Sequence, residues 1–297
     1  MHLKQASSLS KEWGATYRRR NRFYDFESLY PLQHFQVDLK EVYDSTTLSE
    51  QTLRWAKRLN IPPYQWTAID VKTRLRFISY SYEKTFTNGL LFMMTLIYFL
   101  RSFGVEHKIT LQTDNGEEFW GKSVDKLEYL NKKVFAPLNA ELLHIPKGKK
   151  EYQTFVERSH QTDDIEFYIP QIERCADLKE FYFRALRWEF MYNTKRHHST
   201  LGMTPFRKLT MERKISTLVA LFPVMQLEKL TDLYFKLFPQ TGYHVSANDQ
   251  NKDTFSNVQP NGYKCPRISP RNGLSHRAHQ SLNMKVKGYS LRLNLQK

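Results

Sequence analysis

The sequence predicts an α/β protein, a mixed five-stranded sheet with helices on its faces. Three observations carry that expectation. Strand-period segments open the patterned part of the chain and include a hairpin. Segments of helical period then separate the later strands, so those strands need crossovers. Two long helical segments follow the last strand.

The elements follow in order. Residues 34–42 (HFQVDLKEV) alternate apolar and polar side chains through Phe35, Val37 and Leu39, the period of a strand. Residues 66–71 and 75–82 read as two more strands, joined into a hairpin by Lys72, Thr73 and Arg74. The run 89–100 (GLLFMMTLIYFL) reads as a buried helix capped by Asn88 and ending near Gly104. It falls well short of the roughly 20 residues a bilayer span needs. Residues 108–113 (KITLQT) form a fourth strand, and 123–135 carry apolar residues at helical spacing. Residues 140–146 are a fifth strand, and 151–168 and 178–193 are long helices.

Composition sets the outer limits. The chain has 297 residues, a globular 40% hydrophobic and 14% aromatic content, and a formal charge of +15. That charge favours a polyanionic partner, nucleic acid before an anionic membrane surface. The two cysteines, Cys175 and Cys265, make no disulfide framework and no zinc spacing, and a reducing, cytoplasmic setting is expected. Residues 1–30 read as a basic arm or linker, 31–210 as the core, and 211–240 as a helical extension. Residues 241–297 hold nine Lys/Arg against two acids, a net +7, and read as a basic, mostly disordered tail.

Against this basic background, residues 112–119 (QTDNGEEF) place three carboxylates around an Asn-Gly turn. Asp38 lies inside the first strand, on the face opposite Phe35, Val37 and Leu39. A strand-centre acid is costly unless paired or bound to a cation. Its simple partners would be Lys40 or Arg76. Asp114 closes the fourth strand, and Glu157 sits on the first long helix, with Glu151 as the nearest rival acid. Carboxylates from separated elements suit a hard divalent ion that also binds phosphate oxygens. Read as a helix, Glu157, His160, Gln161 and Asp164 share one polar face. Asp163, Asp164 and Glu166 read as solvated charges, and Glu117 and Glu118 as caps for the following segment. The loop 146–152 (PKGKKEY), with Lys147, Lys149 and Lys150, reads equally as a grip on DNA backbone and as a solvated charge run. Arg158 and His160 lie within reach of phosphate, although His160 also reads as a surface histidine. Lys195 and Arg196 in KRHH serve either phosphate contact or a helix C-terminus.

The segments VDLK around Asp38, LQTDNGEEF around Asp114 and VERSHQTDDIEFY around Glu157 resemble, in that order, the integrase-core (DDE) transposases of bacterial insertion sequences, within the retroviral-integrase superfamily. Residues 192–206 (YNTKRHHSTLGMTPF) resemble the signature that follows in that family. Seventy-five residues separate Asp38 from Asp114 and 42 separate Asp114 from Glu157, the second interval being long for the superfamily. The resemblance implies an RNase H-like fold, a catalytic and metal-binding triad of Asp38, Asp114 and Glu157, and two Mg or Mn ions. It also implies DNA as substrate, with a freed 3′-hydroxyl attacking target DNA and no covalent protein–DNA intermediate. A homo-oligomer in a synaptic complex, in a bacterial nucleoid-associated setting, goes with it. The family's helix-turn-helix region has no counterpart in residues 1–30, so an inactive remnant or a regulator of an intact transposase is the alternative expectation. An RNase H-like nuclease acting on RNA–DNA hybrids is a third.

Overall fold

Five strands order themselves β3-β2-β1-β4-β5 in a computed structural model of the chain: β1 (His34–Glu41), β2 (Tyr64–Asp70), β3 (Arg76–Ser81), β4 (Ile109–Thr113) and β5 (Ala140–His144). β2 runs antiparallel to β1 and β3, whereas β4 and β5 run parallel to β1. This is the mixed, RNase H-like arrangement that the resemblance implies. The structure describes residues 28–120, 124–146 and 148–237. The chain divides into the units Met1–Gly242 and Tyr243–Lys297, and every described residue belongs to the first. The expected tail over 241–297 and nearly all of the arm over 1–30 lie outside the described residues. Among those described, no helix is long and apolar enough to cross a membrane.

One face of the sheet carries the larger core. Phe35 and Val37 of β1, Trp66 and Ala68 of β2, Phe77 of β3 and Leu111 of β4 are fully buried there. Helix α2 (Phe86–Ser102) lies in the same cluster through Phe92, Met93, Leu96 and Leu100. Its cap is Thr85, whose side chain accepts the Asn88 amide; the expected cap, Asn88, is instead buried one turn in, donating to Glu83 and Glu228. Gly89 is required at this point, because a Cβ there would collide with the backbone oxygen of Glu118 in α3 (Glu117–Trp120). Helix α4 (Val124–Leu130) continues as a wide π turn over Asn131–Phe135, in place of a single helix over 123–135.

The other face has a smaller apolar cluster, centred on Ile78 and Tyr80 of β3. Three helical segments meet there. They are α1 (Glu50–Arg58), which sequence reasoning missed, the end of α5 (Thr154–Asp163), which runs on as a π turn through Tyr168, and α6 (Leu178–Thr194). The middle of this face is polar, with Gln36, Lys40, Gln65, Thr67, Arg76 and Gln112 all buried. After α7 (Pro205–Glu212), residues 215–227 return to the main core, where Phe222 stacks edge-on against Phe77, Phe92 and Phe99. Backbone bonds from Tyr80 to Met225 and from Leu227 to Tyr80 tie this segment to β3 ahead of α8 (Glu228–Leu237). The expected boundary at 210 is therefore no break in the core.

Candidate active site

The register of two parallel strands brings the first two acids together. β1 pairs with β4 so that Gln36 faces Gln112 and Val37 faces Thr113. Carried one residue past the end of β4, the same register would bring Asp114 next to Asp38, and the charge of Asp114 does act on Asp38. Adjacent strands lie about 4.8 Å apart, and residues in register share a face. The pattern Gln-x-Asp occurs on both strands, as Gln36-Val37-Asp38 and Gln112-Thr113-Asp114. In β1 the glutamine and the aspartate point to the same side.

That side holds the start of α5, which has no side-chain cap of its own. Gln36 supplies one from the sheet: its Oε1 accepts the amides of Phe155 at 2.9 Å and Val156 at 3.1 Å. Gln36 and Gln112 both donate to the Tyr152 carbonyl, each at 2.6 Å. Gln153 reaches back to the carbonyls of Val37 and Gln112. These bonds also fix the amide orientation of Gln36, since one end accepts and the other donates. Further along, His160 Nδ1 lies 3.7 Å from Asp38, and Lys40 binds Asp164 at 2.8 Å. Positions 36, 38 and 40 thus meet the helix near 156, 160 and 164. Two strand residues rise about 6.6 Å and four helix residues about 6 Å, so strand and helix stay in step. Glu157 follows directly on the clamped turn and is exposed.

The electrostatics of Asp38 tie the acids together. Burial, then the charges of Asp114, Glu157 and Glu118, push its carboxyl up to about 7, against a backbone hydrogen bond from Leu39. Neither expected partner neutralises it. Lys40 is engaged with Asp164, and Arg76 binds Asp163 at 2.6 Å and Glu189 at 3.0 Å. His160 does not either: burial holds its imidazole neutral, with a pKa lowered to about 3. It faces Asp38 rather than solvent, which corrects its reading as a surface phosphate contact.

Asp114 anchors its own turn, with Oδ1 accepting the Gly116 amide at 2.9 Å while Asn115 donates to Ile145. A Cβ on Gly116 would lie 2.6 Å from the Glu118 carboxylate, which folds back over it. Glu118 is more than a cap. It is buried, pairs with Lys84 at 3.0 Å and adds to the charge around Asp38. Burial alone would pull Lys84 down, but Glu118 and then Asp114 outweigh it and hold the ammonium above its ordinary range. His144 at the end of β5 contacts the Asp114 carbonyl at 3.0 Å. Sequence reasoning missed Gln36, Gln112, Lys84 and His144. The repeated Gln-x-Asp was the available signal for the first two.

Of the three acids expected to be solvated, one is buried, one half-buried and one exposed, and all three are paired with a cation. Asp163 is fully buried, receiving Arg76, Gln65 at 2.8 Å and Trp188 at 2.7 Å. Asp164 holds Lys40, and Glu166 binds Arg196 through two guanidinium nitrogens, at 2.8 and 2.6 Å. Burial would pull Arg76 down, but Asp163 and Glu189 raise it well above the usual arginine range. Among the candidate DNA contacts, Arg158, Lys149 and Lys195 are exposed, Lys149 lying 3.5 Å from Glu151. Arg196 is half-buried and engaged with Glu166. Lys147 and the side chain of Lys150 lie outside the described residues.

The donor set is all hard carboxylate oxygen, drawn from a strand, a strand end and a helix, which suits Mg or Mn. A cation there would offset the burial and the acidic charges that raise Asp38. Among the described residues, no three His, Cys, Asp or Glu side chains stand close enough to form a ready-made metal cage.

No protein-family model matches the chain, and no curated protein matches it. Among solved structures it is similar to the catalytic core domain of BIV integrase, at 18% identity over 61% of this chain and 95% of that chain, with a TM-score of 0.40. It is also similar to the HTLV-2 integrase catalytic core domain in complex with magnesium, in a trimeric form. That match has 16% identity over 60% of this chain and 97% of that chain, with a TM-score of 0.36. The fold assignment above rests on strand order and sense.

Proposed function

We propose that this chain is the catalytic core of an insertion-sequence type DDE transposase, cutting DNA ends and joining the freed 3′-hydroxyl to target DNA. Asp38, Asp114 and Glu157 are its catalytic residues. The observation that carries the reading is the alignment of two Gln-x-Asp strands whose glutamines hold the helix bearing the third acid. Asp38 and Asp114 offer adjacent oxygen donors, and Glu157 offers a third from a separate element. When bound there, two Mg or Mn ions would supply charge stabilisation at phosphoryl oxygens and activation of the attacking oxygen. His160 stays neutral against Asp38 and leaves its charge available to a cation. Lys84 keeps Glu118 paired beside Asp114. Exposed Lys149 and Lys195, with Lys147 and Lys150, would meet DNA backbone, and the working form would be a homo-oligomer on DNA.

The test is Mn-dependent nicking of supercoiled plasmid and joining of blunt duplex ends by the full chain, with an RNA–DNA hybrid as control. Asp38→Asn, Asp114→Asn and Glu157→Gln should each lower the rate by at least about a hundredfold. DNA cleavage indifferent to all three substitutions would refute the assignment, and preferential hybrid cleavage would redirect it to an RNase H activity.

A further inference from the structure

A cavity of about 360 Å³ opens on the flank of α5 next to Glu157, outside the acidic centre. Its wall joins three separate parts of the chain: the β2–β3 turn, α5, and residues 192–200. Arg158 is the residue after Glu157, and Thr154 lies one turn before it. Residues three apart on a helix are neighbours, roughly 5–6 Å between Cβ atoms.

The donors are set for an anion. Arg74 comes from the hairpin turn, where its backbone adopts the left-handed region at φ 63°. Its guanidinium lies over the Phe155 ring, 3.3 Å from the centroid, so it is held in place before any ligand arrives. Arg196 lies over Tyr192 and is braced by Glu166. Arg158 is exposed and donates a single hydrogen bond, to Gln161 at 3.3 Å. The Nδ1 atom of His198 is buried and has no hydrogen-bond partner. A tight turn closed by His198 N–H to Met203 and by Gly202 N–H to His198 brings Ser199 and Thr200 to the rim. Thr154, Ser159 and Thr162 already donate their hydroxyl hydrogens to helix carbonyls, whereas Ser199 and Thr200 bring hydroxyls to the rim and Tyr192 one to the wall. Asp70 acts on Arg74 and Glu166 on Arg196, so three guanidiniums face two carboxylates. A neighbouring cavity of about 290 Å³ shares Arg74 and Thr200, but its Lys72 and Lys208 are both tied to Glu212. The excess of one positive charge is the same in both cavities, but only the first holds Arg158, an arginine with no ion pair among the described residues. Guanidinium forks match phosphate oxygens in geometry as well as charge.

We propose that this cavity is a phosphate-binding site that seats a backbone phosphodiester of the DNA lying across the acidic centre. The proposal rests on the DNA reading above and adds to it a defined contact, assigning a role to Arg158, Arg74, His198, Ser199 and Thr200. A phosphate held here fixes the strand's position along the helix that carries Glu157.

The test uses the full chain with Asp114→Asn and no added divalent metal, so that binding is read without catalysis. Histidine-labelled protein is titrated with inorganic phosphate and, separately, with a short DNA duplex at low salt. The His198 imidazole signals, assigned with His198→Gln, report occupancy. Both ligands should move those signals and compete with each other. Arg158→Ala should weaken phosphate binding about tenfold or more, and Arg158→Lys should restore part of it. Arg158 is exposed, so its removal leaves the fold in place, and a urea unfolding midpoint verifies that. Phosphate that moves His198 without DNA doing so would overturn the DNA source. Signals that do not move with either ligand, or that ignore Arg158→Ala, would overturn the site. Absence of Mn-dependent cutting by the chain with Asp114 intact, with phosphate binding preserved, would count against the proposed function alone.

Discussion

Gln36→Ala tests whether the sheet holds the helix that carries Glu157. The substitution removes the Oε1 that accepts the Phe155 and Val156 amides at 2.9 and 3.1 Å. It also removes one of two donors to the Tyr152 carbonyl; Gln112 remains, at 2.6 Å. The helix start has no side-chain cap of its own, so two amides lose their acceptor. An orphaned buried amide costs about 1–3 kcal/mol, and water entering the vacated space offsets part of that. The expected loss is about 2–4 kcal/mol, or roughly 4–16 °C in Tm for a domain of this size. Gln112→Ala leaves the Tyr152 carbonyl its Gln36 donor but removes the Oε1 partner of the buried His34 ring. In the double variant that carbonyl loses both donors, so the two losses should exceed additivity by about 1–2 kcal/mol. Urea unfolding of wild type, both single variants and the double closes the cycle. Mn-dependent nicking at a temperature where all remain folded should fall at least tenfold in Gln36→Ala, since small misplacement of a reacting group costs about that much or more. A Gln36→Ala protein within about 0.5 kcal/mol of wild type, or an additive cycle, would refute the clamp.

Arg76→Met should destabilise the fold by about 3–5 kcal/mol in urea titration, because it strands Asp163 and Glu189 in the interior without their counter-charge. Glu189 gives a pH signature: burial pushes its carboxyl up to about 7 even though Arg76 pulls it down. Between about pH 4.5 and 7 the folded form keeps a proton that the unfolded chain releases, so this group's contribution falls as pH rises through that window. Glu189→Gln mimics the protonated acid. It should be near neutral at pH 5 and gain up to about 3 kcal/mol over wild type at pH 8; equal differences at both pH values would contradict the shift. Gly89→Ala would raise the stability of an exposed helix by about 1 kcal/mol. Here thermal unfolding should show a loss, because the new methyl meets the Glu118 backbone of α3.

Much of this was legible in the sequence because it depends on local period. The alternation through Phe35, Val37 and Leu39 placed Asp38 on the opposite face, and the structure puts it there, against α5. What was not legible depends on which distant residues meet. Asp163, Asp164 and Glu166 look alike in the string TDDIEFY, yet each has a different cation, Arg76, Lys40 and Arg196, fixed by the sheet and α6. His160 shares that fate: helical spacing put it on a face with Glu157, but only the approach of β1 decides that it is buried. The missed helix α1 is a different failure. Ser49 caps it by accepting the Thr52 amide, and Leu53, Ala56 and Leu59 repeat at helical spacing, so the signal was local and overlooked.

The distribution of counter-charge separates structural acids from chemical ones better than motif position does. Around α5 the structural acids have partners at hydrogen-bond distance: Asp163 has Arg76, Asp164 has Lys40, Glu166 has Arg196, and Glu118 has Lys84. Even Glu151, the rival to Glu157 in sequence, lies 3.5 Å from Lys149. Asp38 differs. It faces a histidine that burial keeps neutral, and burial together with its acidic neighbours raises its proton affinity instead of lowering it. A fold seeking only stability would place Lys40 or Arg76 against this carboxylate, since both lie on the same polar face. Both are instead committed to acids on the helices, which holds α5 and α6 in place and leaves Asp38 without a cationic partner among the described residues. If the proposed function holds, the charged network of Arg76, Lys40 and their acids serves the site indirectly, by fixing the helix that carries Glu157 and by keeping both cations off Asp38.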